Sequence, residues 1–208
     1  MRYRSEHKQA TRRRIIEAAG RRFKRDGIDG SGISALMKEA GLTNGAFYVH
    51  FASKDDLVAT AVADQLRAQN ANIVAHAAPG RAGVEQIVRW YLSARHREST
   101  DDGCPSAALL DEIGRCTDPT KQAYTDGVLM VTDGIAARLA PDDPASVRTR
   151  TLSAYAMMAG TLQLSRALAD THLSDELLEQ GIHNALALLD VEHEASGQRR
   201  TDSPAGAA

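Results

Sequence analysis

Aromatic side chains are scarce: nine of 208 residues, one of them Trp. A stacking platform for single-stranded nucleic acid needs several exposed rings, so that class is disfavoured. Cysteine is scarcer still, with Cys104 and Cys116 alone. Two thiols cannot make a disulfide framework and fit a reducing cytoplasm. Their separation matches no common zinc pattern. No apolar run approaches the roughly 18 residues that span a bilayer. No apolar stretch follows the Arg-rich start, so a secretory signal is not expected. β-Branched residues are few beside helix formers, 10 Val and 9 Ile against 35 Ala and 19 Leu, which argues against an all-β fold. HExxH, GxSxG, Walker and dinucleotide-glycine patterns are absent, and the seven histidines are scattered. No catalytic residue, cofactor or metal site is therefore assigned.

What is present is a chain 43% apolar and 25% charged, the composition of a soluble globule. Its net charge of −2 conceals a division. Residues 1–60 hold 12 Lys and Arg against 7 Asp and Glu; the remainder holds 13 against 20. Within residues 1–25 the count is 10 basic to 2 acidic. A basic head on an acidic body points to an anionic polymer or surface bound at one end.

The periodicity predicts an all-α chain. A first helix over 8–25 carries Ile15, Ile16, Ala19 and Phe23 on one face and ends at Asp26-Gly27. A short second helix carries Ile33, Leu36, Met37 and Ala40, and Thr43 caps a third over 44–50. Ser53-Lys54-Asp55-Asp56 resembles a capping box opening a long helix to about residue 76. Helices over 81–98, 105–115, 118–139 and 143–170 follow, and Ser174 caps the last. This gives a head over 1–52, a body over 53–191, and a polar tail over 192–208 expected to be disordered.

The strongest local signal lies between Ile33 and Phe51. Two helices of about two turns, joined by Ala40-Gly41-Leu42-Thr43, have helix-turn-helix dimensions. Asn44, Gly45 and Ala46 open the second helix with small residues, so its N-terminal backbone can approach phosphate closely. Thr43, Tyr48, His50 and Lys54 supply donors nearby. The alternative is an ordinary αα-hairpin with Phe47 and Phe51 as packing residues. Tyr48 has a second reading as a half-buried ring, His50 as a helix C-cap, and Arg12, Arg13 and Arg14 as a solvated face.

Residues 11–58 resemble the N-terminal domain of the TetR family of bacterial transcriptional repressors. The resemblance runs through Thr11-Arg12-Arg13-Arg14-Ile15-Ile16-Glu17-Ala18-Ala19, Phe23, Gly27, Ile33, Leu36 and Ala40-Gly41-Leu42-Thr43. It continues through Gly45-Ala46-Phe47-Tyr48, His50-Phe51 and Ser53-Lys54. It implies a dimer on double-stranded operator DNA. Thr43 would cap the recognition helix and touch phosphate. Asn44, Gly45 and Phe47 would face the groove, and Tyr48, His50 and Lys54 would clamp the backbone. Gly32 stands where the family often has a capping Ser or Thr, and Ser31 is the substitute. Asn44 replaces a frequent Lys or Arg and can pair with the N6/N7 edge of adenine. The stretch Gly103-Cys104-Pro105-Ser106-Ala107-Ala108-Leu109 resembles a body motif of one branch.

The resemblance further implies a helical regulatory body. Trp90, Tyr91, Tyr124, Met130, Tyr155, Met157 and Met158 are candidate walls for a hydrophobic or aromatic small-molecule effector, with plain core packing as the alternative. The last two helices are the expected homodimer surface. Small residues from Ser153 to Gly160 permit close approach, and Leu178, Ile182, Leu186 and Leu189 form an apolar stripe. A Cys104–Cys116 redox trigger is the rival control device, and two buried thiols the bland reading.

Overall fold

Capping chemistry and apolar periodicity divide the described residues into ten α-helices and one 3-10 turn. The computed structural model describes the backbone of residues 2–191 and the side chains of 6–191, with no strand among them. The expected tail over 192–208 lies outside the described residues. The order is α1 (Arg2–Asp26), α2 (Ile33–Glu39), α3 (Asn44–His50), α4 (Lys54–His76), α5 (Gly80–Tyr91) and α6 (Ala94–Glu98). Then come α7 (Ser106–Arg115), α8 (Asp118–Leu139), the 3-10 turn Pro144–Val147, α9 (Arg148–Ala167) and α10 (Thr171–Leu188).

Several starts follow from local chemistry. Ser53 Oγ accepts from Asp56 N–H at 3.1 Å. The short Asp56 carboxylate reaches back to Ala52 N–H at 3.0 Å rather than to the cap residue. Pro119 lies in the first turn of α8, although Thr117 and not Asp118 occupies the N-cap.

Other boundaries differ from expectation. The helix expected over 81–98 breaks at Leu92, because Ser93 Oγ accepts from His96 N–H at 3.2 Å and starts a new turn. The helix expected from residue 143 begins with a 3-10 turn. α10 is capped by Asp170, whose carboxylate accepts from His172 and Leu173 N–H. Ser174 lies inside that helix, where its hydroxyl donates to Ser165 O at 2.8 Å.

The helices enclose two apolar cores. One gathers Ile15, Phe23, Leu36, Met37, Phe47 and Phe51 with Leu57, Val58, Val62 and Leu66 of α4 and Leu109 and Ile113 of α7. The other joins α5, α8, α9 and α10 around Val84, Tyr91, Val131, Tyr155, Met158 and Leu162. α4 contributes to both, Leu66 to the first and Ile73 to the second. Leu178, Ile182, Leu186 and Leu189, expected on a dimer stripe, are buried in the second core of the single chain. The exposed side of α9 instead carries Leu152, Ala156, Gly160 and Leu164, and that of α10 carries Leu173 and Leu188.

Candidate nucleic-acid interface and ligand cavity

The turn between α2 and α3 is fixed from several sides. Gly41 has φ +68°, a left-handed conformation that favours glycine. Leu42 N–H donates to Met37 O at 2.8 Å and closes the end of α2. Arg14 of α1 donates to Ala40 O at 2.6 Å, so this arginine is a structural tie.

α3 then presents one exposed face. Thr43, Asn44, Gly45, Tyr48 and Val49 are exposed, with Tyr48 at 71% and Val49 at 60%. Thr43 occupies the N-cap position, but its side chain makes no capping bond. A Cβ added at Gly45 would meet no protein atom within 4 Å. Phe47, expected to face the groove, is 0% exposed. It packs edge-on to Tyr48 at 5.1 Å and against Phe51 at 5.8 Å. Sequence reasoning misses Val49: it follows Gly45 by four residues and so lies on that residue's side of α3, and its exposed apolar surface suits a thymine methyl.

Two other expected contacts move inward. Ser31 is fully buried, donates to Gly27 O at 2.6 Å and does not cap α2; Gly32 holds that position without a side-chain bond. Lys54 is half-buried and lines a crevice with Asp29, Asp55 and Glu112. His50 is half-buried, and burial, then Lys8 and Arg12, lowers its pKa. It therefore lies beside the basic first half of α1. Arg12 also covers the Phe51 ring at 4.7 Å.

The second half of α1 engages protein groups. Arg22 pairs with Asp26 and Glu39, and Arg25 with the same two acids. Lys24 donates to Gly103 O at 2.9 Å; burial outweighs the nearby acids, led by Asp102, and lowers its pKa to about 8. Just beyond α1, Glu112 of α7 accepts from Ile28 N–H at 2.7 Å and Asp29 N–H at 3.3 Å. These bonds join the head to the body.

Gly103 also borders a cavity of about 630 Å³, within the roughly 300–1,000 Å³ usual for small-molecule sites. Its walls include Ile73, Ile87, Trp90, Arg95, His96 and Asp102. A smaller crevice of about 300 Å³ shares Trp90, Asp102 and Gly103 and extends to Lys24. Of the seven expected ligand residues, Trp90 alone lines these two spaces.

The other six have different roles. Tyr91, Tyr155 and Met158 belong to the buried core, Met157 and Tyr124 pack against it, and Met130 is exposed. The Tyr155 hydroxyl lies 3.0 Å from Cys104 Sγ and 3.1 Å from Ser106 Oγ, and Tyr124 donates to Ser106 at 3.0 Å. Burial pushes the pKa of both tyrosines up. Cys104 is 3% exposed, whereas Cys116 packs against the other core, where burial raises its pKa. Among the described residues no group of three or more His, Cys, Asp or Glu could hold a metal ion, and no helix is long and apolar enough to cross a membrane.

Residues 15–61 match the family model described as "Bacterial regulatory proteins, tetR family". The HTH-type transcriptional regulator AcrR of Shigella flexneri is 41% identical over 49 residues, covering 24% of this chain and 23% of that relative. Among solved structures, E. coli NemR in its reduced form superposes with a TM-score of 0.71 at 18% identity, over 85% of this chain and 95% of that one. A TetR-family regulator from Agrobacterium tumefaciens gives 0.69 at 17% identity, over 85% and 98%. FadR from Bacillus subtilis, in complex with stearoyl-CoA, gives 0.62 at 17% identity, over 85% and 96%. These structural likenesses speak for the fold. The family match covers residues 15–61, from α1 into α4, and so identifies a tetR-type helix-turn-helix domain at the head of the chain.

Proposed function

We propose that the protein is a cytoplasmic repressor that binds a pseudo-palindromic operator as a homodimer and is released by a small molecule. Residues 1–52 read the DNA, and residues 53–191 hold the effector and the partner subunit. The observation that carries this reading is the exposed face of α3, Thr43 to Val49, beside the cationic first half of α1. Asn44 and Val49 read base edges, Gly45 lets backbone approach, and Thr43 and Tyr48 meet phosphate. The stripe Leu152, Ala156, Gly160 and Leu164, with Leu173 and Leu188, forms the dimer contact.

Release follows from the shared loop. An effector in the larger cavity presses on Asp102 and Gly103, and Gly103 O holds Lys24 of α1. Shifting that carbonyl tilts α1 and changes the separation of the paired α3 helices. By linkage, bound DNA weakens the effector to the same degree. A cysteine trigger is not favoured, since Cys104 is buried against Tyr155 and the two thiols belong to different cores.

Selection of bound genomic fragments tests the reading, with Gly45→Ala as the control. Wild-type protein should enrich a two-fold-related sequence. Because the added methyl meets open space, Gly45→Ala should fold as well as wild type but bind the selected fragment at least about tenfold more weakly. No enriched sequence, or undiminished binding by the variant, counts against it.

A further inference from the structure

The larger cavity combines a flat aromatic wall, apolar sides and a cation without an acid. Trp90 stacks on His96, with ring centroids 5.1 Å apart and 18° between planes. That stack leaves Trp90 42% exposed. Ile73 and Ile87 supply apolar wall. His96 is neutral here: Nδ1 donates to Tyr91 O at 2.8 Å, while Nε2 accepts from Cys104 N–H at 3.0 Å. The stacked wall therefore adds no charge.

Two charged side chains border this space, Arg95 and Asp102. Asp102 lies near enough to Lys24 for its charge to favour the ammonium form, without an ion pair between them. Arg95 has no carboxylate within ion-pair distance among the described residues. Its neighbours differ: Arg89 meets Glu85 at 2.8 Å, and Arg97 meets Asp175 at 2.6 Å. A guanidinium offers a planar fork that suits a carboxylate bidentately.

We propose that this cavity takes a planar aromatic carboxylate, its ring laid on Trp90 and its carboxylate paired with Arg95. The assignment rests on the reading of the body as an effector site and names the effector's chemical class. The ring gains offset stacking and apolar contact, and Arg95 selects charge. An aliphatic acid would meet Arg95 but forgo the stack. An aromatic amine would stack but meet the wrong charge.

Trp90 is the chain's single tryptophan, so its fluorescence reports this cavity directly. The full chain is titrated with naphthoate, naphthylmethylammonium and decanoate, with calorimetry in parallel. Naphthoate should quench Trp90 saturably and bind at least tenfold more tightly than either of the others. Arg95→Met should weaken naphthoate at least tenfold with an unchanged melting curve, and Trp90→Leu should weaken it by calorimetry. Absent naphthoate binding overturns the proposal, as does equal binding of the amine or the fatty acid, or indifference to Arg95→Met. Operator binding is measured on the same samples: if it persists while naphthoate fails, the ligand class falls and the DNA-binding reading stands.

Discussion

His96 lies where the cavity, the body core and the 99–104 loop meet. Burial lowers its pKa, although its bond to Tyr91 O opposes the shift; Arg166 and Lys24 lower it further. Protonation would set an Nε2 donor against the Cys104 donor. The unfolded chain, with a histidine near 6.5, then binds the proton more readily than the folded one. Stability is therefore full above about pH 6.5 and falls as pH drops towards the lower folded value. The melting temperature should decline between pH 7.5 and pH 5.5, and His96→Gln should be less stable at the upper pH but show a shallower decline. His50 shifts in the same direction, so His50→Gln is the necessary comparison. A decline of equal steepness in His96→Gln would remove His96 from the account.

Helix crossings are set by residues whose meaning lies outside their own helix. Gly127 of α8 is such a residue: a Cβ there would come 2.5 Å from Leu66 Cδ1 and 2.7 Å from Leu66 Cβ. Leu66 is fully buried, so α4 cannot yield without disturbing the head core. Gly127→Ala should cost about 1–3 kcal/mol by overpacking, read as a lower urea midpoint with circular dichroism retained. Unchanged stability would mean that the crossing relaxes freely. In sequence Gly127 is one glycine among 16, and nothing local distinguishes it. The helix-turn-helix was legible because Gly41 and Ser53 act within a few residues. Phe47, which the resemblance turns to the groove, is buried, and Val49, which it leaves unassigned, is exposed, because a seven-residue helix holds too few apolar positions for sequence to fix its phase. Ser174 reads as a cap because a serine before a periodic run has the same local pattern inside or outside the helix. The bond from Ser174 to Ser165 O, a contact with α9, settles which. The cavity was least legible, since its chemistry comes from α4, α5, α6 and the following loop together.

Over the whole molecule, the basic head narrows to a basic end. Arg14 holds the α2 terminus, Arg22 and Arg25 face Asp26 and Glu39, and Lys24 reaches the body. Among the described side chains of α1, Lys8, Arg12, Arg13 and Arg21 have no ion pair with a protein carboxylate; Arg21 borders the crevice that holds Lys24, whereas Lys8 and Arg12 lie near His50 at the end of α3. Two cations equal in sequence should thus differ on DNA. Binding to an operator fragment, followed by anisotropy across a salt series, should give a log–log slope that flattens by about 0.9 for each phosphate left without its cation. Arg13→Ala should flatten the slope. Arg22→Ala should leave the slope unchanged, and any fall in affinity should track stability, because its guanidinium is engaged with Asp26 at 3.1 Å and Glu39 at 3.2 Å. The reverse ranking would mean that the DNA follows the second half of α1, and the orientation assigned to the head would be wrong.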